Sequence, residues 1–135
     1  MYKRQIQHRG QPGTHDLPLA VEVFEHLKNK QHTDIPVYDK SAFNGQGDRA
    51  DKSHWHTVND GDKKIQVVIF EGWCVGFRPL TDEALEEALR AAIYDYENEL
   101  RFGQLQKHDL ENLRFVDGAL KGYDRLTEYV ALIPQ

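Results

Sequence analysis

Three polar clusters along the chain contain residue types that could bind or transfer an anionic group. They cover residues 9–16, 38–49 and 71–72. The last begins with Glu71, directly after the apolar run at 65–70, and in an open α/β sheet ligands bind beyond the carboxyl ends of the strands. An acid at such a point could hold a magnesium ion beside a phosphate chain. An acid that merely follows a strand into solvent explains the same spacing.

The other two clusters also have a functional and a simpler interpretation. Tyr38, Asp39 and Lys40 offer a hydroxyl, a carboxylate and an ammonium group to a small polar ligand. A surface turn crossed by salt bridges explains them as well, and the same holds for the Asp48–Arg49 pair. His15 and Asp16 could orient a substrate hydroxyl, although a helix N-cap by Asp16 accounts for the aspartate equally.

His54 and His56 suggest a metal site, because imidazole is a common zinc ligand. Residues two apart point the same way only in a strand, and the surrounding sequence is typical of a loop. A third ligand would have to come from elsewhere, so a solvated loop is the alternative. Cys74 has no neighbour that would mark it as a nucleophile, and we expect a small buried residue there.

The pattern of apolar residues predicts alternating helices and strands. Asp16 is a suitable N-cap for a helix with Pro18 in its first turn. Residues 65–70 are the clearest strand, and the four consecutive apolar, mostly β-branched residues at 67–70 predict that it is buried on both faces, as in a parallel sheet. Further helices are expected from Thr81 towards Leu100 and near 109–126, and a second buried strand at 129–133. We therefore expect an α/β fold with parallel strands and a helix-rich C-terminal half.

Length and composition indicate a single domain. The chain has 135 residues with 17 Lys+Arg against 22 Asp+Glu, a formal net charge of −5. This acidic balance argues against a nucleic-acid binder, and no apolar run is long enough to span a membrane. One cysteine suits a reducing compartment, so we expect a soluble, cytoplasmic protein. We expect one partial domain over 1–135, with a loop at 46–64 and a helical insert at 81–126.

Taken in order, the clusters resemble those of one family of kinases. RGQPGTHD at 9–16, PVYDKS at 36–41, GQGDR at 45–49 and VIFEGW at 68–73 are similar to segments of the D-glycerate 3-kinase family, in its plant and fungal members. Uridine kinase, phosphoribulokinase and pantothenate kinase are more remote relatives of the same P-loop type. The distinctive part extends from about residue 9 to 80, and residues 81–135 are compatible with it.

The resemblance implies a P-loop kinase-like three-layer fold that transfers the γ-phosphoryl group of ATP to a hydroxyl of glycerate. It implies that Glu71 holds Mg²⁺ through water and that Asp16 contacts the acceptor hydroxyls. The expected acceptor pocket also contains a set of side chains that could bind a carboxylate or line the site: Arg9, Tyr38, Asp39, Lys40 and Arg49. The partners implied are ATP and a small acceptor, with neither nucleic acid nor membrane.

One part of the family pattern is absent from the sequence. No Gly-x-x-x-x-Gly-Lys-Ser/Thr occurs in the 135 residues, although that loop supplies the backbone amides and the lysine that hold the β- and γ-phosphates. The chain is therefore expected to be a fragment without this loop and without the lid, and to show little or no kinase activity alone, which leaves its status as an enzyme open. The alternatives are a non-catalytic binding module, which could associate through an exposed sheet edge, and a metal-binding module that uses His54 and His56.

Overall fold

The computed structural model describes residues 9–72 and 74–129, and its first helix, α1 (Leu17–Lys28), begins as predicted. The Asp16 carboxylate accepts a hydrogen bond from the Leu19 amide at 3.2 Å, which satisfies one of the amides that a helix start leaves unpaired. Pro18 lies in the first turn, where a missing N–H costs nothing. The N-terminal boundary of α1 is therefore set by its own sequence.

The strands form two short antiparallel ladders. Strand β1 (Thr33–Ile35) pairs with β4 (His56–Val58). Between them in the sequence, β2 (Tyr38–Asp39) pairs with β3 (Asp48–Arg49). Parallel strands are expected from the sequence, but both ladders are antiparallel. A parallel pair needs a long crossover, whereas β2 and β3 are joined only by the tight turn α2 (Ala42–Gly45). The range 46–64, expected as a loop, contains β3, β4 and a 3₁₀ turn between them at Lys52–His54.

The predicted strand at 65–70 is not formed. The segment has no regular secondary structure and joins neither ladder, and Val67 and Ile69 are 76% and 91% exposed. It is attached at its start, where the Ile65 amide donates to Asn59 Oδ1 at 2.7 Å. A run of β-branched residues forms a buried strand only beside other strands, and the described ranges place none beside this one.

Three helices form the C-terminal half: α3 (Asp82–Glu97), α4 (Leu110–Leu120) and α5 (Asp124–Tyr129). Thr81 caps α3 as predicted, but α3 ends before Leu100. The single helix expected near 109–126 is divided by a 3₁₀ turn around Gly122, where an added Cβ would lie 2.6 Å from Leu17 Cδ1. Among the described helices, none combines the length and apolar character needed to cross a bilayer.

The strand expected at 129–133 is not present at Tyr129, the one residue of this range that the structure describes. Tyr129 is the last residue of α5, and residues 130–133 lie outside the described ranges, as does Trp73.

The main core lies between α1, α5 and the segment at Cys74. Cys74 is 8% exposed, which confirms the expected small buried residue, and Leu126 of α5 is 5% exposed. The other buried members are Val21, Leu120 and Tyr123, and the apolar face of α1 packs against them with Leu17, Ala20 and Phe24. This core packs α1 against the C-terminal helices.

Leu126→Ala should lower the free energy of unfolding by about 3 kcal/mol, because it leaves a cavity in this core. Chemical denaturation followed by circular dichroism measures the change. Leu100→Ala is the matched control, since Leu100 is 63% exposed and should cost no more than about 0.5 kcal/mol. Equal costs for the two variants would contradict the position of the core.

Candidate functional site

The loop at 9–16, which leads into α1, has a closed conformation held by its own side chains. Thr14 Oγ1 accepts from the Gly10 amide at 3.1 Å and donates to the Gln11 carbonyl at 2.8 Å. Gly10 and Gly13 have φ of +104° and +93°, a conformation that side chains other than glycine rarely adopt. The glycines in RGQPGTHD thus shape a loop whose two ends, Arg9 and Asp16, both contact the β2–β3 ladder.

Arg9 joins this loop to the turn between β2 and β3. Its Nη1 donates to the carbonyls of Gly45 and Gln46 at 2.8 and 2.6 Å. The guanidinium also lies 5.8 Å from the centre of the Tyr38 ring, and the Tyr38 hydroxyl donates to the same Gln46 carbonyl at 3.3 Å. Two predicted site residues, Arg9 and Tyr38, are therefore in direct contact.

Asp16 and Arg49 form a second connection across the site. Arg49 Nη2 lies 2.7 Å from Asp16 Oδ2, and both side chains remain about two-fifths exposed. The hydrogen bond from Arg49, followed by that from the Leu19 amide, holds the pKa of Asp16 below its ordinary value of 3.8. Arg49 faces Tyr38 in the ladder. Asp16 is thus an ionised carboxylate, with one cation beside it and an open face to solvent.

Asp39 and Lys40 are placed less directly at the site. The Asp39 carboxylate accepts from Ser41 Oγ at 2.6 Å and from the Ser41 amide at 2.8 Å. These two bonds lower its pKa and commit the carboxylate to closing the turn after β2. Lys40 is exposed in that turn. The simpler interpretation, a surface turn, therefore fits Asp39 best.

The sequence pattern gave no role to two residues that support this site. Gly47, with φ of +80°, lies so close to the Tyr38 ring that an added Cβ would be 2.6 Å away. The Trp55 indole N–H donates to the Ala50 carbonyl at 2.8 Å, next to Arg49. The repeated glycines of GQGDR could have pointed to Gly47, whereas no feature of the neighbouring sequence indicates the role of Trp55.

Glu71 lies in a different cavity from the arginines. It is exposed and lines a cavity of about 350 Å³ together with Gly10, His15, Cys74 and Tyr123. The loop at 9–16 is common to both places, because Gly10 and His15 face this cavity while Arg9 and Asp16 contact the β2–β3 ladder. The structure therefore places the predicted magnesium acid and the predicted acceptor residues on either side of one loop.

The two histidines considered as metal ligands belong to different secondary-structure elements. His54 belongs to the 3₁₀ turn, with Nδ1 3.3 Å from Ser53 Oγ, and His56 is paired with Ile35 in the β1–β4 ladder. Within 9–72 and 74–129, no group of three or more histidine, cysteine or acidic residues is arranged to hold a metal ion. The metal-binding alternative thus has no geometric support in this part of the chain.

The Asp16–Arg49 pair should make stability depend on pH. Because the folded pKa lies below 3.8, ionised Asp16 stabilises the fold above that value, and the contribution is lost as the pH falls through the folded pKa. Asp16→Asn keeps a good N-cap but removes the charge, so its deficit in Tm should be largest at neutral pH and disappear in acid. Asp16→Ala also loses the cap, at a further cost of about 1 kcal/mol. A deficit of Asp16→Asn that is the same at every pH would contradict the ion pair.

Comparison with known proteins shows what the chain is similar to. No protein-family model matches it. It is 41% identical over 85 residues to chloroplastic D-glycerate 3-kinase of Arabidopsis thaliana, covering 60% of this chain and 18% of that protein. It is 47% identical over 77 residues to the uncharacterized kinase mug58 of Schizosaccharomyces pombe, and 40% identical over 81 residues to the probable ATP-dependent kinase TDA10 of Saccharomyces cerevisiae. Each of these two matches covers 56% of this chain, and respectively 27% and 26% of the relative.

A solved structure extends the match to most of the chain. D-glycerate 3-kinase from Cryptococcus neoformans is 34% identical, with a TM-score of 0.78, over 91% of this chain and 40% of that one. The resemblance expected from the clusters is confirmed, as is the partial P-loop kinase-like α/β class. The chain spans less than a third of each of the three curated relatives. It is a kinase-like protein that resembles D-glycerate 3-kinase over the part that it matches.

Proposed function

We propose that this chain provides the acceptor site of an ATP-dependent phosphotransferase that acts on D-glycerate or a similar small hydroxy acid. The observation that carries the proposal is the Asp16–Arg49 pair at 2.7 Å, beside Arg9 and Tyr38. A hydroxy acid presents one carboxylate and neighbouring hydroxyls. A guanidinium binds the carboxylate with paired hydrogen bonds, and an ionised carboxylate accepts hydrogen bonds from the hydroxyls.

The charges at the site favour this division of roles. Arg49 uses Nη2 for Asp16, and a guanidinium has five N–H donors, so further donors of Arg49 remain for the ligand carboxylate. Asp16, kept ionised by Arg49, accepts from an acceptor hydroxyl and orients it. Lys40, exposed in the adjacent turn, adds positive charge for an anionic acceptor in a chain whose net charge is −5. In this proposal Asp39 shapes the pocket by closing its turn.

Glu71 is the residue that we propose for the magnesium ion of Mg-ATP. Mg²⁺ keeps several waters and is bound in proteins through one or two carboxylates together with the substrate phosphates. A single exposed carboxylate at the edge of a cavity fits that requirement. When bound, the ion would supply charge neutralisation for the transferred phosphoryl group.

Phosphoryl transfer depends mainly on positioning and charge neutralisation, and the lysine-bearing phosphate loop is not among the 135 residues. We therefore propose that the chain binds the acceptor but has little or no turnover alone. We also propose a cytoplasmic location, where a single free thiol stays reduced. The proposed partners are ATP and the acceptor, without nucleic acid.

Titration calorimetry with D-glycerate tests the acceptor site. We expect saturable binding to the folded chain, and about tenfold weaker binding to Arg49→Gln, because one charge-assisted contact is lost. Arg90→Gln, on the exposed side of α3, is the matched control and should bind as the original chain does. Absence of binding, or equal weakening in both variants, would refute the proposal.

In the same preparations, transfer from labelled Mg-ATP to D-glycerate should be at or near background, with Glu71→Gln as the control. Clear transfer that disappears in Glu71→Gln would contradict our expectation of an inactive chain, and would show that other residues hold the phosphates.

A second candidate function is a non-catalytic interaction module that associates with a copy of itself. The observation that favours it is the strand-forming sequence at 65–70, with Val67 and Ile69 largely exposed and no ladder partner in the described ranges. Unpaired extended backbone is a template for pairing with another chain.

If a second copy pairs along this segment, Ile69→Lys should shift the chain from dimer towards monomer in sedimentation velocity, since a charge at the contact must be desolvated. Phe102→Lys is the matched control, because Phe102 is 80% exposed and lies elsewhere. A monomer at all concentrations, or dissociation by both substitutions, would exclude self-association through this segment.

A further inference from the structure

The loop at 9–16 is joined to the C-terminal helices by His15 and Tyr123. The Tyr123 hydroxyl lies 2.5 Å from His15 Nδ1, and the two rings meet edge to face with centroids 5.8 Å apart at 85°. Tyr123 is 7% exposed, within the main core. The position of the His15 ring is therefore set by a buried side chain that is distant in sequence.

The hydrogen bond between Tyr123 and His15 Nδ1 links the proton position on the imidazole to the phenol. Burial raises the pKa of the Tyr123 phenol, more than the hydrogen bond from the Gly13 amide lowers it, so the hydroxyl keeps its proton at neutral pH. A phenol oxygen that accepts from the Gly13 amide still has its O–H available to donate to His15 Nδ1. A neutral imidazole that accepts at Nδ1 has its proton on Nε2.

His15 lines the same cavity as Glu71, so an N–H on its Nε2 could donate a hydrogen bond to a ligand there. Most of the other lining of this cavity is apolar, including Leu17, Phe70 and Leu126, and hydrogen bonds are stronger in such surroundings. We propose that Tyr123 is a positioning residue that holds His15 as its Nε2–H tautomer, and that this N–H binds an anionic oxygen of a ligand in the cavity beside Glu71.

The source of that oxygen is a phosphoryl group or a carboxylate. Glu71 is the charged residue that lines this cavity, and it favours an oxyanion that arrives with a cation, as in Mg-ATP. The inference rests on the proposed function and adds to it an N–H donor in the same cavity as the proposed magnesium acid.

Long-range ¹H–¹⁵N spectra of the full ¹⁵N-labelled chain test the tautomer. His15→Gln identifies the His15 signals among the seven histidines. We expect an unprotonated Nδ1 and a protonated Nε2 in the original chain, and a mixture of tautomers in Tyr123→Phe, with circular dichroism confirming its fold. A proton on Nδ1, or a tautomer unchanged in Tyr123→Phe, would overturn the positioning role.

Separate titrations with Mg-ATP and D-glycerate identify the ligand oxygen. We expect the His15 Nε2 signals to move with Mg-ATP; movement with D-glycerate instead would support a carboxylate as the source. If neither ligand moves them, the binding role is overturned. A response to D-glycerate at the Arg49 side chain alone would retain the proposed acceptor site and reject this inference, and no response at either residue would contradict both.

Discussion

The ion pair between Asp16 and Arg49 is the interaction on which the arrangement of the site depends. Asp16 caps α1 and also binds the last residue of the β2–β3 ladder at 2.7 Å, so one carboxylate fixes the helix and the ladder relative to each other. The same pairing lowers the pKa of Asp16 and keeps it an acceptor of hydrogen bonds. Structural support and ligand chemistry are thus combined in one side chain, which remains partly exposed to solvent.

The loop at 9–16 is held at both ends and in its middle, by a different kind of contact in each place. Arg9 binds peptide carbonyls and lies over Tyr38, while Asp16 forms the ion pair. Between them, Gly13 and His15 are attached to Tyr123 in the core. Because a loop that is fixed in this way has little freedom to lose on binding, its contacts with a ligand are made at low entropic cost. The loop therefore separates the proposed acceptor residues from the cavity beside Glu71.

In the described part of the chain, more residues lie at the acceptor side of the proposed reaction than at its phosphate side. The proposed acceptor side combines the Asp16–Arg49 ion pair with the Arg9–Tyr38 contact, and Arg49 faces Tyr38 in the ladder. On the proposed phosphate side, the described residues contribute an exposed acid, Glu71, and His15 in the same cavity. The match to the solved kinase is likewise partial, since it covers 91% of this chain but 40% of that one.

Local sequence determined the features that depend on neighbouring residues. The cap at Asp16, the proline in the first turn of α1, the cap at Thr81 and the glycine-shaped loop all follow from short-range hydrogen bonds and backbone freedom, and the ordered clusters were enough to indicate the kinase resemblance. The tertiary structure decided what depends on distant partners. The apolar run at 65–70 has strand propensity, but a strand needs neighbours, and here it stays exposed. Asp39 and Asp16 are both acids beside basic residues. Asp39 bonds to Ser41, two residues on, which is a local contact. Asp16 pairs with an arginine 33 positions away, and that pairing is set by how the elements meet in space.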